Sequence, residues 1–220
     1  LKLASNMKEF LLKFPIIYRF YQNTVRKKNH EYDFFKYFFK KVCKKKIRVL
    51  DLCCGDSYIL DYVENYIDDY MGYDNNPFYL NQNKKKWKKF KFLYGDLKNL
   101  KKNKKIFKFK PNLIFMNGAI HHLDNELVKM INEVIRKKFN KAMFISVDPL
   151  KNKNKMINRL MINLDRGKFI RKRYEYKKIM KIHNSFITDD FYKMSFLNIF
   201  HYRNIKLQDF YSKWKSTLLN

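Results

Sequence analysis

Three aspartates close or nearly close three apolar runs: Val49-Leu-Asp51-Leu-Cys53-Cys54-Gly55-Asp-Ser57, Tyr70-Met-Gly72-Tyr-Asp74 and Phe92-Leu-Tyr-Gly95-Asp96. A carboxylate at the end of a second strand can accept both hydroxyls of a ribose, which makes Asp74, with Asn75 beside it, a candidate ribose site. Asp96 can accept an exocyclic adenine amine, with Leu97 flanking the ring. Asp51 can orient the backbone of Cys54, Gly55 and Asp56 or meet a cationic amine. One strand-end aspartate is an ordinary turn former. Three in succession point to a nucleotide-type cofactor. A fourth run, Ile114-Phe-Met-Asn117-Gly118-Ala-Ile-His121-His122, ends in two imidazoles. A neutral imidazole with its usual pKa of about 6.5 can take a proton from a hydroxyl nucleophile. The plainer reading is a histidine packed under the loop and bonded to backbone.

The chain has only five glycines, Gly55, Gly72, Gly95, Gly118 and Gly167, and the first four sit where these runs meet an acid, amide or turn. In so glycine-poor a sequence the survivors mark positions that need a positive φ or have no room for a Cβ.

The elements that must carry these residues alternate. Ile47–Cys53, Asp69–Asp74, Phe90–Tyr94, Asn112–Asn117 and Ala142–Val147 read as strands, the first as a strand buried on both faces. Ser57–Asn65, Pro77–Lys89 and Asp124–Asn140 read as helices, with Pro at the first turn of the second and an Asp cap on the third. Such repetition predicts a parallel sheet with helices on both faces and right-handed crossovers. Helices near Lys151–Leu164 and Tyr174–His183 and alternating aromatic stretches at Phe186–Tyr192 and Phe196–Leu207 then close the sheet as an antiparallel edge. Lys101–Lys110 reads as a lysine-rich loop. Ahead of the sheet, apolar residues recur at helical spacing between Lys8 and Lys46, giving two helices separated near Asn29-His30. This pair is expected either to cover the substrate mouth or to cover an exposed apolar face. Residues 1–6 precede Met7 and read as an appended remnant, residues 7–46 as the helical cover and residues 47–220 as the sheet domain.

The 220 residues and 46% hydrophobic content suit one core, and no apolar run approaches the ~20 residues of a membrane span. Cys43, Cys53 and Cys54 offer neither a metal-ligand spacing nor an easy disulfide, so a reduced, cytoplasmic chain without a metal site is expected. The net charge of +29 invites a nucleic-acid reading. It is discounted because 40 of the 49 basic residues are Lys, spread along the whole chain, as A- and T-rich codons would produce. Arg forks, which favour phosphate and base recognition, are few.

From Ile47 to Leu150 the chain resembles a class I S-adenosylmethionine-dependent methyltransferase. The family's first motif is an acid followed by alternating glycines, and Asp51, Cys53, Gly55 and Ser57 occupy those positions. Left-handed backbone at Cys53 or Ser57 would cost about 1 kcal/mol or more. Further matches are Asp74, Gly95-Asp96, Asn117-Gly118-Ala-Ile-His121-His122-Leu123 and Ser146-Val-Asp148-Pro149. The resemblance implies a Rossmann-like, doubly wound, mostly parallel seven-stranded sheet. Asp74 would hold the ribose, Asp96 the adenine, and the backbone at Asn117 and Gly118 the methionine portion. Leu164-Asp165-Arg166-Gly167-Lys168-Phe169-Ile170-Arg171, then Tyr176, resembles an Asp-Arg-Gly segment of a small bacterial subgroup, and Phe14-Pro15-Ile-Ile-Tyr18 resembles its N-terminal stretch. Tyr18, Arg166, Arg171 and Tyr176 are therefore candidate acceptor contacts; for the arginines the alternative is a structural turn paired with Asp165. A nicotinamide dehydrogenase shares the first turn but not the later matches.

The expected activity is methyl transfer from S-adenosylmethionine to a small-molecule or glycan acceptor, at oxygen. The rivals are an RNA methyltransferase or RNA-binding module, and a catalytically silent methyltransferase-like partner.

Overall fold

A computed structural model of the chain describes residues 30–42, 47–151, 162, 165, 167–181, 185–188, 198–203 and 207–218. Strand β1 (Arg48–Leu52) shows why the sheet takes helices on both sides. Val49 enters one apolar cluster, and Leu50 and Leu52 enter the other. A strand with apolar residues on both faces is stable only when both are covered.

Four more strands run parallel with it: β2 (Asp69–Asp74), β3 (Lys91–Tyr94), β4 (Leu113–Asn117) and β5 (Met143–Pro149). Beyond β5 the sheet continues with β6 (Ser185–Thr188) and β7 (Asn198–Arg203), β7 pairing antiparallel with both β5 and β6. The spatial order is β3-β2-β1-β4-β5-β7-β6. The α/β class and the mostly parallel sheet expected from the sequence are what the chain forms. Strand order reverses between β1 and β4, and such a switch point leaves a crevice beyond the carboxyl ends of the strands. Cys53, Asp74, Gly95 and Asn117 all lie at that edge.

The helices are α1 (His30–Val42), α2 (Leu60–Val63), α3 (Pro77–Lys86), α4 (Lys104–Phe109), α5 (Asn125–Lys138), α6 (Arg173–Met180) and α7 (Leu207–Ser216). Helices α1, α2, α3 and α7 pack on one face of the sheet, and α4, α5 and α6 on the other. The Asn76 side chain caps α3 just ahead of Pro77, and Asp124 caps α5 by accepting from the Leu127 N–H at 2.8 Å. Both starts are where the cap residues put them.

Helix α1 buries Tyr32, Phe34, Phe35, Phe38 and Phe39. Phe35 meets Phe115 of β4 edge-on at 5.2 Å, and Phe34 meets Trp214 of α7 at 5.6 Å. Each buried ring contributes about 1.5–3 kcal/mol. So α1 belongs to the core on one face of the sheet, and only its first turn, through Glu31, reaches the ligand edge. The helix expected before it lies outside the described residues, as does nearly all of the one expected at Lys151–Leu164.

Three expectations change. The helix expected over Ser57–Asn65 begins only at Leu60, because Ser57 has φ +50° and cannot enter a right-handed helix. The lysine-rich stretch near Lys101–Lys110 is no loop: Leu97–Lys102 is a 3-10 helix and α4 follows, burying Leu97, Leu100, Ile106 and Phe109. Helix α7 was not expected at all, although its Phe210, Tyr211 and Trp214 recur at helical spacing. No helix among the described residues is long and apolar enough to cross a membrane.

Candidate functional site

The turn after β1 is the most constrained part of the ligand edge. Cys53, Gly55 and Ser57 have φ of 59°, 53° and 50°. All three positions of the alternating motif are thus left-handed, including the two that carry side chains. The strain expected for Cys53 and Ser57 is present, about 1–3 kcal/mol at each.

A buried polar chain holds the turn in this shape. The Tyr70 hydroxyl donates to Asp51 Oδ2 at 2.6 Å and lies 3.1 Å from Ser57 Oγ. Its single proton is committed to Asp51, so Ser57 supplies the proton of the second bond. Asn83 of α3 donates from Nδ2 to Ser57 Oγ at 3.1 Å and to the Gly55 carbonyl at 2.8 Å. Burial pushes the Asp51 carboxyl up to about 7, with the Tyr70 hydrogen bond pulling the other way and the charges of Asp74 and Asp56 adding to the rise. One expectation for Asp51 is that it orients the turn backbone, the other that it meets a cationic amine. The first of these tasks falls to Asp74, whose Oδ2 accepts the Gly55 N–H at 2.9 Å, while its Oδ1 accepts from Asn76 N at 2.8 Å.

Each Asp74 oxygen keeps a further lone pair, and the half-buried carboxylate lines a cleft of about 210 Å³ with Cys53, Asn75, Gly95, Asp96 and Leu97. Gly95 is needed because a Cβ there would collide with the Tyr73 ring. The Tyr73 hydroxyl donates to the Asp96 carbonyl at 2.8 Å, and the Asp96 side chain caps the following 3-10 helix through Lys98 N. Nine of the eleven expected cofactor residues thus gather around one turn and one cleft, which sets the Asp74 and Asp96 carboxylates beside the apolar Leu97. Cys54 is buried under the turn with its thiol pushed well up by burial, so it serves as packing.

Asn117 and Gly118 stand at the end of β4. Gly118, with φ +61°, donates its N–H to the Val147 carbonyl at 2.8 Å. Asn117 Nδ2 donates to Glu31 Oε1 at 3.1 Å and also contacts the Tyr58 hydroxyl. The sequence reading missed Glu31 and Tyr58. Glu31 falls on the apolar stripe of α1, in step with Phe34, Phe35 and Phe38, and an acid in that register is the signal that could have found it. Asn83, in step with Leu80 on α3, is a second such signal.

The two histidines part company. His121 is buried, with Nδ1 3.0 Å from Asp148 Oδ1 and Nε2 3.3 Å from Asp165 Oδ1. Burial opposes its charge, but hydrogen bonds and charge from the two carboxylates prevail and raise its pKa to about 9. It is an imidazolium at neutral pH, the opposite of the neutral base expected. His122 is exposed, its ring 4.1 Å from that of His121.

Arg171 and Tyr176 are also reassigned. The buried Arg171 guanidinium donates to the Ile120 carbonyl at 3.1 Å, the Leu123 carbonyl at 2.6 Å and Asn125 Oδ1 at 3.0 Å, so each of its three nitrogens is engaged with the protein's own turn. Tyr176 is fully buried and donates to the Pro149 carbonyl at 3.1 Å. Both hold the histidine turn and the end of β5 in place. Tyr18 and Arg166 lie outside the described residues.

No protein-family model and no curated protein sequence matches the chain. Many solved structures do. The PH0226 protein of Pyrococcus horikoshii OT3 superposes with a TM-score of 0.59 at 15% identity, over 86% of this chain and all of that one. Human N-acetylserotonin methyltransferase, solved with S-adenosylmethionine, gives 0.55 at 12% identity over 79% of this chain. The mitomycin 7-O-methyltransferase gives 0.56 at 12% identity over 79%. The fold is that of the class I S-adenosylmethionine-dependent methyltransferases. The chain spans about half the length of the last two enzymes, 51% and 54%. In this methyltransferase fold the cleft between Asp74 and Asp96 lies where the switch-point rule places a ligand.

Proposed function

We propose that the chain transfers a methyl group from S-adenosylmethionine to an oxygen of a small-molecule or glycan acceptor. The observation that carries this reading is the Asp74–Asp96 cleft beside a turn left-handed at all three motif positions. Asp74 would hold the ribose, Asp96 and Leu97 the adenine, and the backbone at Asn117 and Gly118 the methionine portion. Bound there, the cofactor supplies an electrophilic methyl. The acids at this edge give a strongly basic chain a local field that suits a sulfonium cation. The chain's own contribution is orientation and the exclusion of water: an in-line displacement needs the acceptor oxygen at about 3 Å from the methyl carbon. A proton leaving the acceptor hydroxyl would pass out to solvent at the histidine turn, since the charged His121 cannot accept it. O-methyltransferases among the structural neighbours support oxygen as the atom.

The test is calorimetric titration with S-adenosylhomocysteine near physiological salt, after removal of co-purified ligand, followed by an acceptor screen with the methyl donor. Micromolar binding is expected. One observation favours the silent-partner reading: the Cys53 side chain lines the cleft where the motif has glycine. Absence of binding in the wild type with binding restored in Cys53→Gly would decide for it. A cationic groove between α5 and α6, lined by Lys129, Arg136, Lys137, Lys178 and Lys181, supports the RNA reading. RNA binding that persists near physiological salt would carry that reading forward.

A further inference from the structure

His121, His122 and Asp165 bring two imidazoles and a carboxylate together, with donor atoms all within 4.8 Å of one another. His121 Nε2 and Asp165 Oδ1 are 3.3 Å apart. Two ligands held at about 2.0–2.1 Å by a tetrahedral zinc ion stand about 3.4 Å from each other, so this pair already has the spacing of a coordination edge. The third donor closes on it by a side-chain rotation, which the exposed His122 ring can make.

Two independent features show that the arrangement is built. First, the ring nitrogen of His121 that points away from Asp165 lies 3.0 Å from Asp148 Oδ1, and the same oxygen accepts the His121 backbone N–H at 3.1 Å. A carboxylate behind a histidine fixes its tautomer, and an ion that displaces the Nε2 proton of His121 to solvent meets a lone pair already aimed at it. Second, Asp165 is brought in by a tight turn. Gly167 donates its N–H to Asp165 Oδ1 at 2.6 Å, and a Cβ at Gly167 would run into the His121 ring. Only glycine lets that turn close against the histidine.

We propose that His121, His122 and Asp165 bind a borderline-soft divalent cation of the zinc type, with Asp148 as the outer carboxylate. Two imidazoles and one carboxylate suit zinc and its first-row neighbours; magnesium and calcium prefer all-oxygen sets. Three protein ligands leave a position open to water or to a hydroxyl of a bound molecule. The sequence expectation of no metal site rested on the spacing of the three cysteines. It could not see a carboxylate arriving from beyond β5. None of the three ligands lines the Asp74–Asp96 cleft, so the site stands apart from cofactor binding.

The experiment uses the tag-free full chain, stripped with chelator and dialysed, titrated with Zn²⁺ by calorimetry and with Co²⁺ by visible absorption. The expected result is one ion per chain at micromolar affinity or tighter, with the ligand-field bands of low-coordinate Co²⁺. Asp165→Asn and His122→Ala, both at positions with solvent access, each weaken binding at least tenfold while circular dichroism shows the fold retained. Asp74→Ala leaves metal affinity unchanged, so a failure of the cofactor reading and a failure of this one are told apart. No binding to the wild type, or unchanged affinity in both Asp165→Asn and His122→Ala, overturns the proposal.

Discussion

Cys53 and Ser57 mirror each other across Gly55, both left-handed, with φ of 59° and 50°. They differ in what their side chains do. Ser57 sits in the Asn83–Ser57–Tyr70–Asp51 chain, whereas Cys53 only packs against apolar neighbours. Glycine relieves strain at either position but adds freedom to the unfolded chain, about 0.5–1 kcal/mol. Cys53→Gly is therefore expected to stabilise the fold by about 1 kcal/mol. Ser57→Gly takes one of two hydrogen-bond partners from the Tyr70 hydroxyl and one from the Asn83 amide in a buried chain, and is expected to lower stability by about 1–2 kcal/mol. Urea unfolding of the two variants checks this; shifts of the same sign would refute the distinction.

Asp51 titrates near 7 in the folded chain, above its ordinary value of 3.8. A carboxyl with a raised folded pKa costs nothing below its unfolded pKa, and its cost grows from there until pH passes the folded one. The burden is thus absent near pH 4 and complete above about pH 7, at most about 4 kcal/mol. Asp51→Asn keeps an acceptor for Tyr70 and removes the charge. Its stability relative to wild type should rise from pH 4.5 to about pH 7 and level off by pH 8 in thermal melts. A difference that is flat across that range would show that Asp51 is ionised throughout.

His121 works in the opposite sense. Its folded pKa of about 9 exceeds the ordinary 6.5, so its clamp between Asp148 and Asp165 stabilises fully below pH 6.5 and is lost as pH rises through 9. In chelator-treated protein the contribution is about 3 kcal/mol at pH 6. Histidine NMR should show one ring titrating near 9, and wild-type stability should fall between pH 6.5 and 9 more steeply than that of His121→Gln. A ring pKa near 6.5 would remove the clamp and return His121 to the role of a neutral base.

Asp74 holds the turn through Gly55 and Asn76, and the proposed function gives it the ribose as well. Losing its carboxylate leaves Gly55 N and Asn76 N without their acceptors, for about 1–2 kcal/mol. Asp74→Ala should therefore remain folded with a lowered melting temperature and lose S-adenosylhomocysteine affinity at least a hundredfold. Unchanged affinity would overturn the placement of the ribose.

The sheet was legible in the sequence because period and punctuation agree there: apolar runs, strand-end acids and capped helices point the same way. The cleft at the carboxyl edge was legible for the same reason, since Asp74 and Asp96 stand where their strands stop. What the sequence hid is what depends on contact between distant segments. Nothing local says that Tyr70 will reach across from β2 to Asp51, or that Asp165 will meet His121. Arg171 and Tyr176 resemble acceptor contacts in the sequence, and only their buried partners show that they support the histidine turn instead.

Arg171 supplies the sharpest test of that support. Its fork spans the carbonyls of Ile120 and Leu123 and the amide oxygen of Asn125, closing the 3-10 turn that carries His121 and His122. A lysine ammonium is a single point of charge and cannot reproduce the fork, so Arg171→Lys leaves at least one buried acceptor unmet. The expected cost is about 2–3 kcal/mol of stability. If Arg171 instead contacted an acceptor, Arg171→Lys would raise the acceptor KM and leave the urea midpoint where it was. The structural role predicts the reverse: a lowered midpoint with the acceptor KM unchanged at temperatures where the variant is folded.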